Sequence, residues 1–119
     1  MNEWLLILVI ILVLDGIYLS LIKGQFENMI IAIQRVVMTV KYVPAMFVYV
    51  LLVSGLYYFI VSKNKSVLDA FLLGVLVYGV YDMTNYATIK KWSLQLALMD
   101  MLWGGVLFGL TTYLVYKLR

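Results

Sequence analysis

The run Val67-Leu68-Asp69-Ala70-Phe71-Leu72-Leu73-Gly74-Val75-Leu76-Val77-Tyr78-Gly79-Val80-Tyr81-Asp82-Met83-Thr84-Asn85 decides how this chain folds. It is long enough to cross a bilayer as a helix, which takes roughly 20 mostly apolar residues. In hydrocarbon the backbone must satisfy its own hydrogen bonds, and a helix does so within one segment. Yet Asp82 sits near the end of the run, and an acid is expensive to place in lipid. Something in the fold must accommodate it.

Three further apolar runs flank this one, at about residues 4–22, 43–61 and 94–116, so the span about 67–85 is the third of four. The whole chain of 119 residues is 66% hydrophobic and 13% charged. Soluble domains sit near half apolar and about a quarter charged. The chain therefore reads as all-α: an integral, multi-pass four-helix bundle forming one transmembrane domain over residues 1–119. Pro44 suits the first turn of span two, where its missing N–H is no loss. The link at 62–66 is very short and predicts a tight antiparallel hairpin of spans two and three. Met1-Asn2-Glu3 carries no basic side chain, and no small-x-small site closes the first run. That run is expected to be a retained span, not a cleaved leader.

Residues 25–41 differ. Phe26, Met29, Ile30, Ile33, Val37 and Val40 recur at helical spacing, with Glu27, Asn28, Gln34, Arg35 and Lys41 on another side. This pattern predicts an amphipathic helix between spans one and two, lying along the membrane surface. A fifth, polar-faced span is the rival. Orientation is balanced. The side holding the chain ends (side A) carries Lys63, Lys65, Lys117 and Arg119, and the opposite side B carries Lys23, Arg35, Lys41, Lys90 and Lys91. Four against five decides nothing under the positive-inside rule. Trp4, Tyr57, Tyr58, Tyr113 and Tyr116 near side A, and Tyr42, Tyr86 and Trp92 near side B, read as headgroup belts.

The composition also excludes chemistry. Without cysteine there is no disulfide and no thiolate. Without histidine the commonest general base, metal ligand and near-neutral switch are gone. No phosphate loop, zinc motif or serine–histidine arrangement is present. No cofactor or metal is expected, and an enzymatic role is not favoured. The basic residues lie in pairs beside apolar runs, which suits lipid headgroups and not nucleic acid. The expected partners are the bilayer and a small-molecule or lipid ligand. Gly105 and Gly109 form a small-xxx-small pair that serves packing within the chain or a homo-oligomer seam.

Depth singles out the acids. A helix rises about 1.5 Å per residue, which places Asp15 roughly 10 Å, Asp100 roughly 9 Å and Asp82 roughly 5–9 Å inside the side B ends of their spans. Asp69 instead heads span three, where the helix dipole favours it. Charged groups in spans turn toward the bundle interior, so Asp15, Asp82 and Asp100 are expected to face one another or shared partners. Arg35 or Lys90 could neutralise them. Tyr78, Asp82 and Asn85 share one stripe, Asp100, Trp103 and Gly104 another, and Asp15 and Tyr18 a third.

At these same residues the chain resembles the DUF2177 family of small membrane proteins from bacteria and large DNA viruses. Tyr81-Asp82-Met83-Thr84-Asn85-Tyr86-Ala87-Thr88, Trp92 and Asp100-Met101-Leu102-Trp103-Gly104 are similar to its pattern of Tyr-Asp-Leu-Thr-Asn-x-Ala-Thr, Trp and Asp-x-x-Trp-Gly. Gly74-Val75-Leu76-Val77-Tyr78 also matches. Asp15-Gly16-Ile17-Tyr18-Leu19 is similar to an early Asp-x-x-Trp-Leu element, with Tyr18 in place of the Trp. The resemblance implies four spans and no particular activity. The positions it carries over are Asp15, Asp82, Thr84, Asn85, Asp100 and Trp103.

The reading favoured here is proton- or cation-linked handling of a small or lipidic substrate. Asp82 and Asp100 would titrate, Asn85 and Thr84 orient, Tyr78 and Trp103 form walls, and Asp15 and Tyr18 complete the polar layer. Three rivals stand beside it. The acids could merely glue helices in an accessory protein, although interhelical hydrogen bonds average only about 0.6 kcal/mol. Asp15 in the first span is similar to the acid of small multidrug exporters. A lipid-modifying enzyme would have to rely on carboxylate or tyrosine chemistry, or on a carboxylate-bound metal.

Overall fold

In a computed structural model, residues 2–34 and 41–119 are described. Four α-helices follow one another: α1 Glu3–Gln34, α2 Tyr42–Phe59, α3 Val67–Thr88 and α4 Leu94–Leu118. All four are long and apolar enough to cross a membrane. Their outward leucines and valines are exposed, as suits a surface solvated by lipid tails.

Each helix boundary has a local cause. Pro44 lies in the first turn of α2. A 3-10 turn, Val61–Lys63, follows α2, and Asn64 stops it in the left-handed region at φ 54°. Asparagine tolerates that conformation better than most residues. Ser66 caps α3 by accepting from the Asp69 N–H at 3.0 Å, and Asp69 sits in the first turn at the positive end of the dipole. Ser93 caps α4, accepting from the Leu96 N–H at 3.2 Å. Replacing Ser93 by alanine is expected to cost about 1 kcal/mol. Chemical unfolding in mixed micelles checks this, and an unchanged midpoint would show the cap contributes nothing.

The packing order differs from the chain order. The α3–α4 pair is the closest in the bundle, α1 packs on α4, and α2 packs on α1. The short link between α2 and α3 is present, but the tight hairpin expected there is not: α2 barely touches α3. The reason is the small-residue faces. A Cβ on Gly74 would run into the Gly104 carbonyl oxygen, and a Cβ on Gly104 would run into the Tyr78 ring. Bare backbones therefore meet at the α3–α4 crossing. Gly105 and Gly109 also turn toward α3, against Phe71, Val75 and Val67. Gly55, on α2, faces open space. Ile7, Ile11, Val53, Leu56, Leu107, Phe108 and Val115 form the main core.

The helix between spans one and two is a second correction. Residues 25–34 are helical, but they continue α1 without a break. The rest of the expected helix, 35–40, lies outside the described residues. Nothing between Ile22 and Gln25 terminates a helix; Gly24 costs about 1 kcal/mol relative to alanine, too little to end it. At 32 residues α1 is roughly 48 Å long, well beyond a hydrocarbon core of about 30 Å. The apolar face of its extension does not lie along lipid. Phe26, Met29, Ile30 and Ile33 instead cover the α3–α4 link, against Trp92, Ala97, Met83, Ile89 and Leu96. Trp92 is therefore not a headgroup ring: it is buried under α1, edge-on to both Phe26 and Tyr81.

At the opposite end, three contacts tie the links together. The Arg119 guanidinium meets Glu3 at 2.9 Å, the Tyr116 hydroxyl donates to the Lys65 carbonyl at 2.6 Å, and the Trp4 indole donates to Ser54 at 3.2 Å.

Candidate functional site

The acids of α1 and α4 are held by interhelical hydrogen bonds, and the acid of α3 lines a space beside them. Asp15 is buried on α1, and both its oxygens are occupied. The Trp103 indole N–H from α4 donates to Oδ1 at 3.1 Å, and the Tyr49 hydroxyl from α2 donates to Oδ2 at 2.5 Å. One turn further along α1, the Tyr18 hydroxyl donates to Asp100 Oδ1 at 3.1 Å. The Tyr18 and Trp103 rings stack, with centroids 4.6 Å apart and planes 5° from parallel. That stack joins the Asp15 knot to the Asp100 pair and locks α1 onto α4.

Asp82 closes the sequence on α3. It is 3% exposed, and its Oδ2 has no hydrogen-bond partner. It lines a cavity of about 10 Å³ together with Tyr18, Asp100, Trp92, Phe26 and Met29. A space of that size holds a single water. The Trp92 indole N–H is likewise buried and unpartnered at this cavity. An orphaned acceptor and an orphaned donor thus line one small space, roofed by the α1 extension. Buried polar atoms without partners are rare and costly, and they cluster where a ligand or water completes the site.

Among the described residues, no basic side chain pairs with these acids. The ion pairs among the described residues are Lys23–Glu27 at 3.9 Å and Arg119–Glu3, both away from the acids. Lys90 is exposed and makes no ion pair, and Arg35 lies outside the described residues. Among the described residues no three acids gather as one metal-ligand set.

A larger groove reaches Asp100 from the other side. It encloses about 320 Å³ between α2 and α3, lined by Val48, Leu52, Val77, Tyr78, Tyr81 and Asp100. Asp100 therefore borders both spaces.

The remaining expected residues divide. Tyr78 lines the groove with Asp100, and Trp103 donates to Asp15 but lines neither space. Asn85 is half-buried but lines neither space. Thr84 is exposed, and its backbone carbonyl accepts from Thr88 at 2.8 Å, so the structure does not bring it to the acids. Two participants were not singled out from sequence. Tyr49 lies seven residues into α2, roughly 10 Å from its start, which is the layer of the acids. The depth search passed over it because α2 carries no acid. Trp92 was read as a belt ring because its link sits at a helix end, and a covering helix leaves no local signal there.

These features define a small integral, multi-pass membrane protein with a polar layer built across its spans. The family model described as "Predicted membrane protein (DUF2177)" matches residues 1–117. The chain belongs to the DUF2177 family. No curated protein and no solved structure matches it.

Proposed function

We propose that the Asp82–Asp100 pair serves proton- or cation-linked handling of a small or lipidic substrate within the membrane. The observation that carries this reading is the Asp82 carboxyl, which is buried, lacks a partner on Oδ2, and shares a water-sized cavity with Asp100. An uncompensated buried charge is far too costly to keep, so such a pair is stable with a proton, a water or a cation between its members. Each can be exchanged.

The helix-glue reading has support at Asp15 and, through the Tyr18 hydroxyl, at Asp100. Each oxygen of the Asp15 carboxylate accepts from one donor, so it links α1, α2 and α4. At Asp82 the glue reading has less support, because Oδ2 makes no hydrogen bond. With a donor already on each oxygen, Asp15 is a less suitable key ligand of an exporter-like site than Asp82.

The test uses purified protein in liposomes that enclose a pH-sensitive dye. Sodium, potassium and octylammonium gradients are imposed in turn. Wild type should move protons in response to at least one of them, and Asp82→Asn and Asp100→Asn should each lower that rate by about tenfold or more. Asp69→Asn, at the far end of α3, should match wild type. Proton movement no faster than in protein-free liposomes, or undiminished in both asparagine variants, would overturn the reading.

A further inference from the structure

We infer that the α2–α3 groove admits a lipophilic alkylammonium ion from the bilayer and seats its nitrogen against Asp100, between the rings of Tyr78 and Tyr81. This inference rests on the proposed role of the acid pair and names the class of substrate. Four observations support it.

The first is location. Val48 lies six residues into α2, and Val77 eleven residues before the end of α3. The groove therefore occupies a layer roughly 9–16 Å inside the side B helix ends, level with the acids. Val48, Val77 and Tyr81 at its mouth are 51%, 39% and 52% exposed. At that depth an exposed side chain meets lipid, so the opening is lateral. The second is size. About 320 Å³ falls at the small end of ordinary ligand pockets, which begin near 300 Å³.

The third is charge. Asp100 contributes the carboxyl group of the groove, and Tyr18 occupies its Oδ1 alone. No basic side chain among the described residues pairs with it. A cation would compensate a carboxylate there, and an anion would be repelled. The fourth is the lining. Hard metal cations seek about six oxygen ligands, but here one carboxyl stands among aliphatic and phenolic side chains. An alkylammonium needs less: one charge-assisted hydrogen bond, aromatic faces for its positive head, and apolar walls for its tail. The weak contact between α2 and α3 keeps this route open.

Saturable binding of radiolabelled octylammonium to protein in phosphatidylcholine nanodiscs tests the inference, with empty discs as blank. Octanol and octanoate, of matching length, should not compete. Asp100→Asn should weaken binding by about tenfold or more, as expected for one lost charge-assisted hydrogen bond. Val48→Trp, which fills the groove from its lipid face, should also weaken it, and Asp69→Asn should not. Equal competition by octanol, or full affinity in Asp100→Asn, would overturn the inference. Competition by added phosphatidylethanolamine would place a lipid headgroup in the groove and overturn the free amine. Proton movement that follows sodium or potassium, without octylammonium binding, would remove this inference and leave the proposed function standing.

Discussion

Replacing Gly74 by valine should force α3 away from α4 and lower stability by about 3 kcal/mol or more. A Cβ at this position collides with the Gly104 carbonyl oxygen and lies within 2.6 Å of its carbon. Both atoms are backbone, so no side-chain rotation relieves the overlap. Alanine already carries the offending Cβ and should cost about 1–3 kcal/mol. Without a hydrophobic drive between helices in lipid, close van der Waals contact is what holds such a pair, and separation forfeits it. Gly16 supplies the control. Nothing lies within 4 Å of a Cβ built there, so Gly16→Ala should be neutral or slightly stabilising through its better helix propensity. Chemical unfolding in mixed micelles measures all three variants. If Gly74→Val unfolds at the wild-type midpoint, the α3–α4 crossing described above is wrong.

Asp15→Ala should destabilise the protein by about 2–4 kcal/mol, while Asp15→Asn should stay within about 1 kcal/mol of wild type. Membrane hydrogen bonds average about 0.6 kcal/mol, which for two bonds suggests a loss near 1 kcal/mol. The larger figure follows because alanine removes the shared acceptor and strands two donors, the Trp103 indole and the Tyr49 hydroxyl. Asparagine avoids that loss. Its carbonyl oxygen can accept from Trp103, and its amide can donate to the Tyr49 oxygen. Comparing the two variants separates shape and polarity from charge. An Asp15→Asn variant as unstable as Asp15→Ala would mean that the negative charge itself is structural. Asp15 would then stand apart from Asp82, whose partnerless oxygen gives it little to hold.

Much of this architecture could be read along the chain. Apolar run length located all four helices, Asp69 marked the start of α3, and helix rise put Asp15, Asp82 and Asp100 at one depth. Partner choice could not be read. Loop length suggested α2 against α3, whereas glycine faces paired α3 with α4. Thr84 was drawn in by its neighbours in sequence, but its own side chain is exposed. Tyr49 was invisible because a tyrosine in an apolar run has many uses, and its role depends on which helix it meets. Trp92 likewise looked like any ring at a helix end until α1 was seen to continue over it.

The division has a physical basis. Hydrophobicity and backbone hydrogen bonding act along the chain, so the amino-acid order alone determined a four-span helical membrane protein with its acids in a common layer. Helix rotation and neighbour contacts depend on short-range fit between surfaces distant in sequence. Tertiary structure therefore decided that both Asp15 oxygens accept hydrogen bonds, that Asp82 and Asp100 line one space with room for a single water, and that Asp100 also borders a groove between α2 and α3. Those are matters of ångströms between separate helices, and no spacing within a single helix encodes them.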